Sequence, residues 1–202
     1  DQCRAEFYDP ENRRYAYPFI TCGNCGPRYT YMKDMPYDRE KTTMSDFPFC
    51  PQCHSEYNDP TNRRYHIEGF SCPICGPIIS GLEQGVEYLK EGRIVAIKGL
   101  GGYHIACSAT DYNAVELLRK RKKRPAKPFA VMFGSLSMAR QYADISLEEE
   151  ALLRSKVSPI VVVPLKKNSA IAQNVAPDNG YIGLMIAYTP LHQLVLDRVN
   201  IP

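Results

Sequence analysis

The chain has 202 residues and a formal net charge of +3 at pH 7, which allows one or two domains and excludes a polycation that binds by bulk charge. Its longest apolar run is far too short to span a bilayer, so no membrane partner is expected. Seven of its eight cysteines lie in residues 1–75, which predicts a small crosslinked module followed by an ordinary hydrophobic domain. Paired C-x-x-C motifs without an apolar signal stretch favour a reducing, cytoplasmic setting and metal rather than disulfides.

The module contains a cysteine framework that is repeated at an offset of fifty residues. In each copy one cysteine is followed by eighteen residues and then by C-x-x-C. The second copy adds Cys50, whose counterpart would fall one residue before Asp1, so we expect the sequence to begin inside a first C-x-x-C motif. The copies cover about residues 1–27 and 48–77. The cysteines of the framework are Cys3, Cys22, Cys25, Cys50, Cys53, Cys72 and Cys75.

This spacing predicts two structural zinc sites, one for each copy, because a C-x-x-C turn presents two thiolates and a second turn completes a tetrahedron. Four thiolates leave no open position for catalysis. Pairing that interleaves the copies, disulfides and a rubredoxin-like iron remain alternatives. We expect Gly26 and Gly76 to let the backbone turn after each second cysteine. His54 and His66 are expected at the surface rather than among the ligands.

Each copy also carries a D-P-x-N-R-R-Y segment inside its loop. The four arginines could bind phosphate or an acidic partner, or they could hold the loops by ion pairs, and the sequence does not separate the two. They are Arg13, Arg14, Arg63 and Arg64.

After a short connector at 78–81 the pattern changes to that of a mixed α/β domain over residues 82–202. Gly92 is expected to end the first helix, and Asp111 or Thr110 to cap the second. Ser146 and Glu149 form a predicted capping box. The predicted helices start at about 82, 113, 147 and 190, the predicted strands cover 94–97, 129–133, 160–163 and 182–186, and a glycine-rich loop covers 98–104.

A basic run over residues 119–127 is the strongest chemical feature of this domain, with seven cationic side chains in nine positions. A charge run of this kind is usually a solvated helix end. Here Pro125 and Pro128 turn the chain out of the helix, so Lys122, Arg124 and Lys127 could face a pocket that binds phosphate. The glycine-rich loop lacks the spacing of a Walker or dinucleotide motif and is weak by itself.

The motifs of both parts resemble one known family, the HypF carbamoyltransferases. Its zinc-finger region is similar to D-P-x-N-R-R-Y-x-Y-P-F-I-x-C-x-x-C-G-P-R followed by M-P-Y-D-R. Its YrdC-like domain is similar to V-A-I-K-G-L-G-G-Y-H-I-A-C, K-R-P-A-K-P-F-A-V-M, S-P-I-V and Y-T-P-L-H. The resemblance implies a duplicated four-cysteine zinc module followed by a YrdC-like mixed α/β domain that is incomplete at its C-terminus.

The resemblance also implies an activity. Proteins of this family make carbamoyl-adenylate from carbamoyl phosphate and ATP, with Mg²⁺ as activator. They pass the carbamoyl group to the C-terminal cysteine of HypE, toward the cyanide ligands of nickel–iron hydrogenase. HypE and the other HypF domains are the implied partners. Those domains, an acylphosphatase-like domain and a transfer domain, do not appear in this sequence, so this section by itself is expected not to run the full reaction.

Residue roles follow from the same resemblance. The K-x-R signature of the related synthases matches Lys122 and Arg124, and a strand-to-loop segment of theirs matches the chain from Lys98 to Cys107. Lys98 stands where those synthases commonly have proline. Cys107 is expected to be a small buried residue rather than a nucleophile, and no catalytic residue is assigned. The expected nucleotide- and carbamoyl-binding residues are Lys98, Tyr103, Lys122, Arg124, Lys127, Ser158 and His192.

Two other interpretations stay open. A zinc-containing RNA-binding module related to YrdC domains would explain zinc knuckles beside a basic run, although the small net charge does not favour nucleic acid as a partner. The zinc module could also serve as a spacer or docking platform between catalytic domains, which is compatible with the carbamoyltransferase interpretation.

Overall fold

The computed structural model describes residues 2–26 and 29–202 and divides the chain into two compact units, Asp1–Ser80 and Gly81–Pro202. The division falls inside the connector predicted at 78–81. Among the described residues, no helix is both long enough and apolar enough to cross a membrane.

The first unit repeats one local structure in its two copies. Helix α1 (Gln2–Tyr8) opens the first copy, and helix α2 (Pro51–Asn58) opens the second, with Pro51 at its first position after Cys50. The loop after each helix folds back on it, because the amide of Ala16 donates to the Phe7 carbonyl and the amide of His66 donates to the Tyr57 carbonyl. Three short 3₁₀ helices, Tyr29–Tyr31, Arg39–Lys41 and Thr43–Asp46, lie between the copies in the part of the unit that is described.

The apolar core of this unit is small. In the second copy it consists of Cys53, Phe70 and Cys72, with a few half-buried neighbours such as Phe49. Arg39 lies with its guanidinium carbon 3.8 Å from the centre of the Phe49 ring and donates to the carbonyls of Glu68, Phe70 and Phe47. A core of this size cannot stabilise a chain of this length without further crosslinks.

The second unit is a mixed α/β domain, as the sequence predicts. Its helices are α3 (Leu82–Lys90), α4 (Tyr112–Lys122), α5 (Leu136–Tyr142), α6 (Leu147–Leu153) and α7 (Pro190–Val199). Its strands are β1 (Val95–Lys98), β2 (Tyr103–Ala106), β3 (Ala130–Phe133), β4 (Val161–Pro164) and β5 (Tyr181–Ile186). A 3₁₀ helix spans Gln173–Val175.

The strands form a hairpin and a mixed sheet. Strands β1 and β2 pair antiparallel, with Lys98 opposite Tyr103. Strand β5 is the centre of the three-stranded sheet, parallel to β3 and antiparallel to β4. Val131, Phe133 and Leu184 on one face of the sheet are buried with Ala139 of α5 and Leu153 of α6. This alternation of buried and open positions packs one face of the sheet against α5 and α6.

Three of the four predicted helix starts are confirmed by side-chain caps. Asp111 accepts hydrogen bonds from the amides of Asn113 and Ala114, and Thr189 accepts one from His192. The capping box of Ser146 and Glu149 is present. Gly92 follows the end of α3 with a φ of +71°.

Two elements differ from the sequence prediction. The glycine-rich loop was predicted over 98–104, but it covers only residues 99–102, because Lys98 ends β1 and Tyr103 begins β2. Helix α5 was not predicted. It has only seven residues after the cap Ser135, too short for a clear helical period.

Candidate functional site

The cysteines of the first unit form two separate clusters. Within each cluster the sulfur atoms lie within 4.8 Å of one another. The interleaved pairing is therefore wrong for the cysteines that are described, since each cluster draws its members from a single copy. The clusters, called here the first and second cysteine clusters, are Cys3, Cys22 and Cys25, and Cys50, Cys53, Cys72 and Cys75.

The sulfur spacings fit a tetrahedral metal centre. In the first cluster Sγ of Cys25 lies 3.5 Å from Sγ of Cys3 and 3.7 Å from Sγ of Cys22. In the second, Sγ of Cys72 lies 3.8 Å from Sγ of Cys50 and 3.7 Å from Sγ of Cys75. Ligands at about 2.3 Å from zinc in a tetrahedron stand about 3.8 Å apart, whereas disulfide sulfurs stand about 2.05 Å apart. The eight cysteines, all in the described part of the chain, form no disulfide.

The two clusters differ in one respect. The second supplies four sulfur ligands, and the described residues of the first supply three. The fourth ligand predicted for the first cluster precedes Asp1 and lies outside the described residues.

The glycines after each second cysteine serve different needs. Gly26 has a φ of +87°, which glycine adopts without strain, as predicted. Gly76 does not have a positive φ, and the predicted need for a residue without a Cβ rests there on close packing instead. A Cβ at Gly76 would collide with the hydroxyl oxygens of Tyr17 and Ser71, so this position requires glycine for close packing.

The four loop arginines form ion pairs that cross between the copies. Arg13 and Arg14 of the first copy pair with Glu56 on α2, at 2.9 and 2.6 Å. In the second copy, Arg63 and Arg64 pair with Glu6 on α1. The structure thus places these arginines in the ion-pair role that the sequence left open.

These ion pairs lower the pKa of both carboxylates. Burial favours a higher pKa for Glu6, but the hydrogen bonds from Arg64 and the ion pair with Arg63 outweigh it and lower the pKa to about 2. Glu56 likewise has a lowered pKa, because bonds from Arg14 and Arg13 outweigh the effect of burial. Sequence reasoning missed both glutamates. The signal was the shared position in the repeat, since each stands three residues after a framework cysteine.

In the second unit, the basic run divides into a structural part and an exposed part. Arg119 is 4% exposed and donates to the carbonyls of Asn174, Val175 and Arg124. Arg124 donates to the carbonyls of Lys127 and Pro128 and lies over the Phe129 ring, 5.1 Å from its centre. These two arginines hold residues 124–128 in a defined loop, called here the basic loop.

Lys122 and Lys127 are the predicted phosphate-binding residues that stay exposed. Lys122 ends α4, and Lys123 follows it in a left-handed conformation with a φ of +49°. The turn that follows α4 therefore places one lysine before the basic loop and another within it. Exposed ammonium groups on a fixed loop are suited to contact phosphate.

Two other predicted residues meet on the β1–β2 hairpin. Lys98 and Tyr103 are cross-strand partners, and the Lys98 ammonium lies 5.0 Å from the centre of the Tyr103 ring. Tyr103 is 67% exposed, so much of its side chain is accessible to solvent. Ser158 is half-buried with a φ of +48°, and its hydroxyl donates to the Ser155 carbonyl.

His192 is buried at 2% exposure, and neither ring nitrogen has a hydrogen-bond partner among the described residues. It packs against the rings of His104 and Tyr188, both at 4.9 Å between ring centres. His104 shares a hydrogen bond of 2.8 Å with the Tyr188 hydroxyl. Sequence reasoning proposed His192 but missed His104 and Tyr188, because only the fold brings 104 and 188 together.

His192 and His104 line a mostly apolar cavity of about 160 Å³, which Cys107 also borders. Burial raises the pKa of Cys107 to about 11, and the Asp111 carboxylate adds to the effect. The thiol is therefore neutral at pH 7, as expected for a packing residue rather than a nucleophile.

Burial lowers the pKa of His192 to about 4, and His104 contributes. The unfolded chain takes up a proton near pH 6.5, whereas the folded protein does so only near pH 4. Stability contributed by neutral His192 is therefore fully present above pH 6.5 and falls as the pH drops from 6.5 to 4, by at most about 3 kcal/mol. We expect NMR titration of the histidine ring protons to place one pKa near 4, and His192→Phe to remove that titration. A His192 pKa near 6.5 would contradict the buried neutral ring.

Comparison with known proteins covers both units. The HypF finger model matches residues 1–32 and 49–80, and the Sua5/YciO/YrdC model, described as telomere recombination, matches 87–202. Carbamoyltransferase HypF of Synechocystis is 48% identical over 99% of this chain and 28% of its own length. Carbamoyltransferase HypF2 of Cupriavidus necator is 51% identical over 96% of this chain and 26% of its own length.

A solved structure of full-length HypF in its phosphate- and nucleotide-bound form superimposes with a TM-score of 0.93 and 43% identity, and covers 100% of this chain and 28% of that one. The chain therefore spans little more than a quarter of the length of the relatives that it matches. Because both family models match in order and the identity extends along nearly all of the chain, it belongs to the HypF family and corresponds to the finger region and the YrdC-like domain.

Proposed function

We propose that this chain is the zinc-binding and nucleotide-binding section of a carbamoyltransferase that takes part in hydrogenase maturation. The observation that carries the proposal is the 43% identity, over the whole chain, to a HypF whose structure was solved with phosphate and nucleotide bound. The exposed lysines beside the basic loop support a phosphate-binding role for the second unit.

The proposed reaction of the second unit is adenylation. Carbamate is released from carbamoyl phosphate. One of its oxygens then bonds to the α-phosphorus of ATP, and the bond from that phosphorus to pyrophosphate breaks. Negative charge on the phosphate oxygens grows as the α-phosphorus becomes five-coordinate, and fixed cationic groups stabilise it. Mg²⁺ would add the same kind of stabilisation when it is bound with ATP.

The side chains of this unit take separate parts in that step. Lys122 and Lys127 are free to contact phosphate oxygens, and Lys98 and Tyr103 offer a cation beside an open ring for the nucleotide or carbamoyl group. Arg124 was expected to bind the nucleotide or carbamoyl group, and its Nε and Nη2 donate to the loop carbonyls of Lys127 and Pro128. We assign it a positioning role, in which it holds Lys127 in place.

The later steps lie in the rest of the protein. The carbamoyl group would pass from the adenylate to the C-terminal cysteine of HypE, and AMP would leave. The transfer and carbamate-releasing steps need the other HypF domains, since this chain matches 28% of its relatives' length. A reducing compartment such as the cytoplasm suits a protein whose eight cysteines form no disulfide.

The cysteine clusters are proposed to hold one zinc ion each, in a structural role. Four thiolates in the second cluster would fill the tetrahedron, so no position remains for substrate. The ion would crosslink helix, loop and knuckle where the apolar core is small.

The adenylation proposal is tested with the complete protein carrying Lys122→Ala and Lys127→Ala together. We expect carbamoyl-phosphate-dependent exchange between ATP and pyrophosphate to fall at least about 100-fold, since each of the two lost charge contacts is worth about 1.5–3 kcal/mol. Lys120→Ala is the matched control, because Lys120 is an exposed lysine of the same helix whose ammonium stands 3.7 Å from Glu116. Exchange at the wild-type rate in the double variant would refute the role of these lysines.

A further inference from the structure

The two copies of the first unit are bound to each other by matching contacts. Arg14 of the first copy donates from Nε to the carbonyl of Ser71, at 3.0 Å. Arg64 of the second copy donates from Nε to the carbonyl of Thr21, at 3.1 Å. Ser71 and Thr21 are themselves counterparts in the repeat, and each directly precedes the first cysteine of a C-x-x-C motif. The contact is therefore reciprocal, as across a two-fold axis.

The first arginine of each pair reaches the sulfur atoms of the other copy. Arg13 donates from Nη2 to the sulfurs of Cys72 and Cys50, at 3.0 and 3.2 Å. Arg63 donates from Nη1 to the sulfur of Cys3, at 3.0 Å. Neither arginine donates to a cysteine of its own copy in the described part of the chain.

The paired carboxylates complete the link. Glu56 lies one helical turn beyond Cys53 on α2, and Glu6 lies one turn beyond Cys3 on α1. Each arginine pair therefore contacts three parts of the opposite metal site. These are the helix that carries a ligand, the ligand sulfurs, and the carbonyl that precedes the C-x-x-C motif after the loop. Arg14 and Arg64 are 2% and 3% exposed, so the bonds from their Nε atoms to the two carbonyls are shielded from water.

The arginines matter to the metal sites because their positive charge offsets the negative charge of the thiolates. Four thiolates around one Zn²⁺ carry an excess of about two negative charges, which are costly to bury without compensation. A guanidinium that donates to the thiolates supplies that compensation and fixes the sulfurs in the orientation that the metal needs. In other metal sites, loss of such an outer partner costs about 10–100-fold in metal affinity.

We propose that each metal site is completed by the arginines of the other copy, so that the two sites retain metal as one interdependent unit. Arg13 and Arg63 are positioning residues that act on the zinc through the thiolates. The inference rests on the proposed zinc role of the cysteines and not on the proposed carbamoyl chemistry.

The test measures metal retention at each cluster separately. The complete, zinc-loaded protein is exposed to a chelator and, at timed intervals, to N-ethylmaleimide, and peptide mass spectrometry then gives the alkylation rate of each cysteine. Cys22 and Cys72 report the first and second clusters, because they are counterparts in the repeat. Zinc content before the chelator establishes the starting stoichiometry.

In Arg13→Gln we expect alkylation at Cys72 to accelerate about 10–100-fold, with a smaller change at Cys22, although residue 13 belongs to the first copy. Arg63→Gln should show the reverse, with the larger acceleration at Cys22. Arg4→Gln is the matched control, since Arg4 is an exposed arginine on α1 that reaches the Tyr8 ring, and it should leave both rates unchanged.

The outcomes separate the two levels of the proposal. If the acceleration in Arg13→Gln at Cys72 does not exceed that at Cys22, the crossed dependence is refuted while the zinc role stands. If the wild-type protein holds no zinc, the zinc role itself is refuted and the inference with it. The Arg63→Gln result provides the independent check, because the proposal requires that the arginine of each copy affect the metal site of the other copy.

Discussion

Replacing Cys53 with serine is expected to release the metal from the second cysteine cluster and unfold the second copy. The free energy of binding for a structural zinc is about 10–16 kcal/mol, which is as large as the whole stability of an ordinary domain. Cys53 is fully buried, with Phe70 and Cys72 as its main partners. A serine oxygen is a poor zinc ligand at neutral pH, and the remaining apolar contacts are too few to hold the copy together.

The measurement is zinc content together with amide hydrogen exchange over residues 50–80. We expect the variant to lose at least one zinc ion per chain and the protection of α2. Cys107→Ser is the matched control, because Cys107 is the cysteine outside both clusters and should leave zinc content unchanged. Wild-type zinc content in Cys53→Ser, with α2 still protected, would mean that metal does not stabilise this unit.

Replacing Arg119 with methionine is expected to destabilise the second unit by about 3 kcal/mol or more. Its guanidinium is buried and bonds the carbonyls of Asn174 and Val175 on one side and of Arg124 on the other. Methionine keeps much of the volume but removes these donors, and each charged hydrogen bond is worth about 1.5–3 kcal/mol. The carbonyls of Asn174 and Arg124 lose their bonds to the guanidinium, while the Val175 carbonyl keeps its bond from the Phe129 amide. The basic loop would lose its anchor to the 3₁₀ helix at Gln173–Val175.

Hydrogen exchange over residues 124–128 and 172–176 measures this effect where it occurs, and urea unfolding gives its size. Exchange between ATP and pyrophosphate should fall as well, although Arg119 itself is too buried to contact phosphate. Arg121→Met is the control, since Arg121 is exposed on the same helix. Unchanged exchange protection in Arg119→Met would show that the loop does not depend on this residue.

Much of the first unit follows from sequence because its determinants are local. A C-x-x-C turn brings two sulfurs together whatever the rest of the chain does, and the eighteen-residue spacing repeats, so the ligand sets could be proposed before the fold was known. The helix caps at Asp111, Ser146 and Thr189 are local signals of the same kind.

The predictions that the structure changed concern short secondary-structure elements and the directions of side chains. Strand β2 has only four residues and begins directly after a glycine turn, so its first residues were predicted as part of the loop. Arg124 belongs to a signature that suggests phosphate binding, yet its bonds to backbone carbonyls depend on how the loop after α4 turns. Neither the period of a short element nor the direction of a side chain is encoded in adjacent residues.

The duplicated cysteine framework, the two-part organisation and the resemblance to the HypF family were determined by the sequence alone, because each rests on residue spacing along the chain. Only the tertiary structure decided that the arginines of one copy donate to the cysteine sulfurs of the other, and that the rings of His104, Tyr188 and His192 pack together. Residues that are 59 or 84 positions apart along the chain make these contacts. Such pairings depend on how whole elements pack, which no local pattern records.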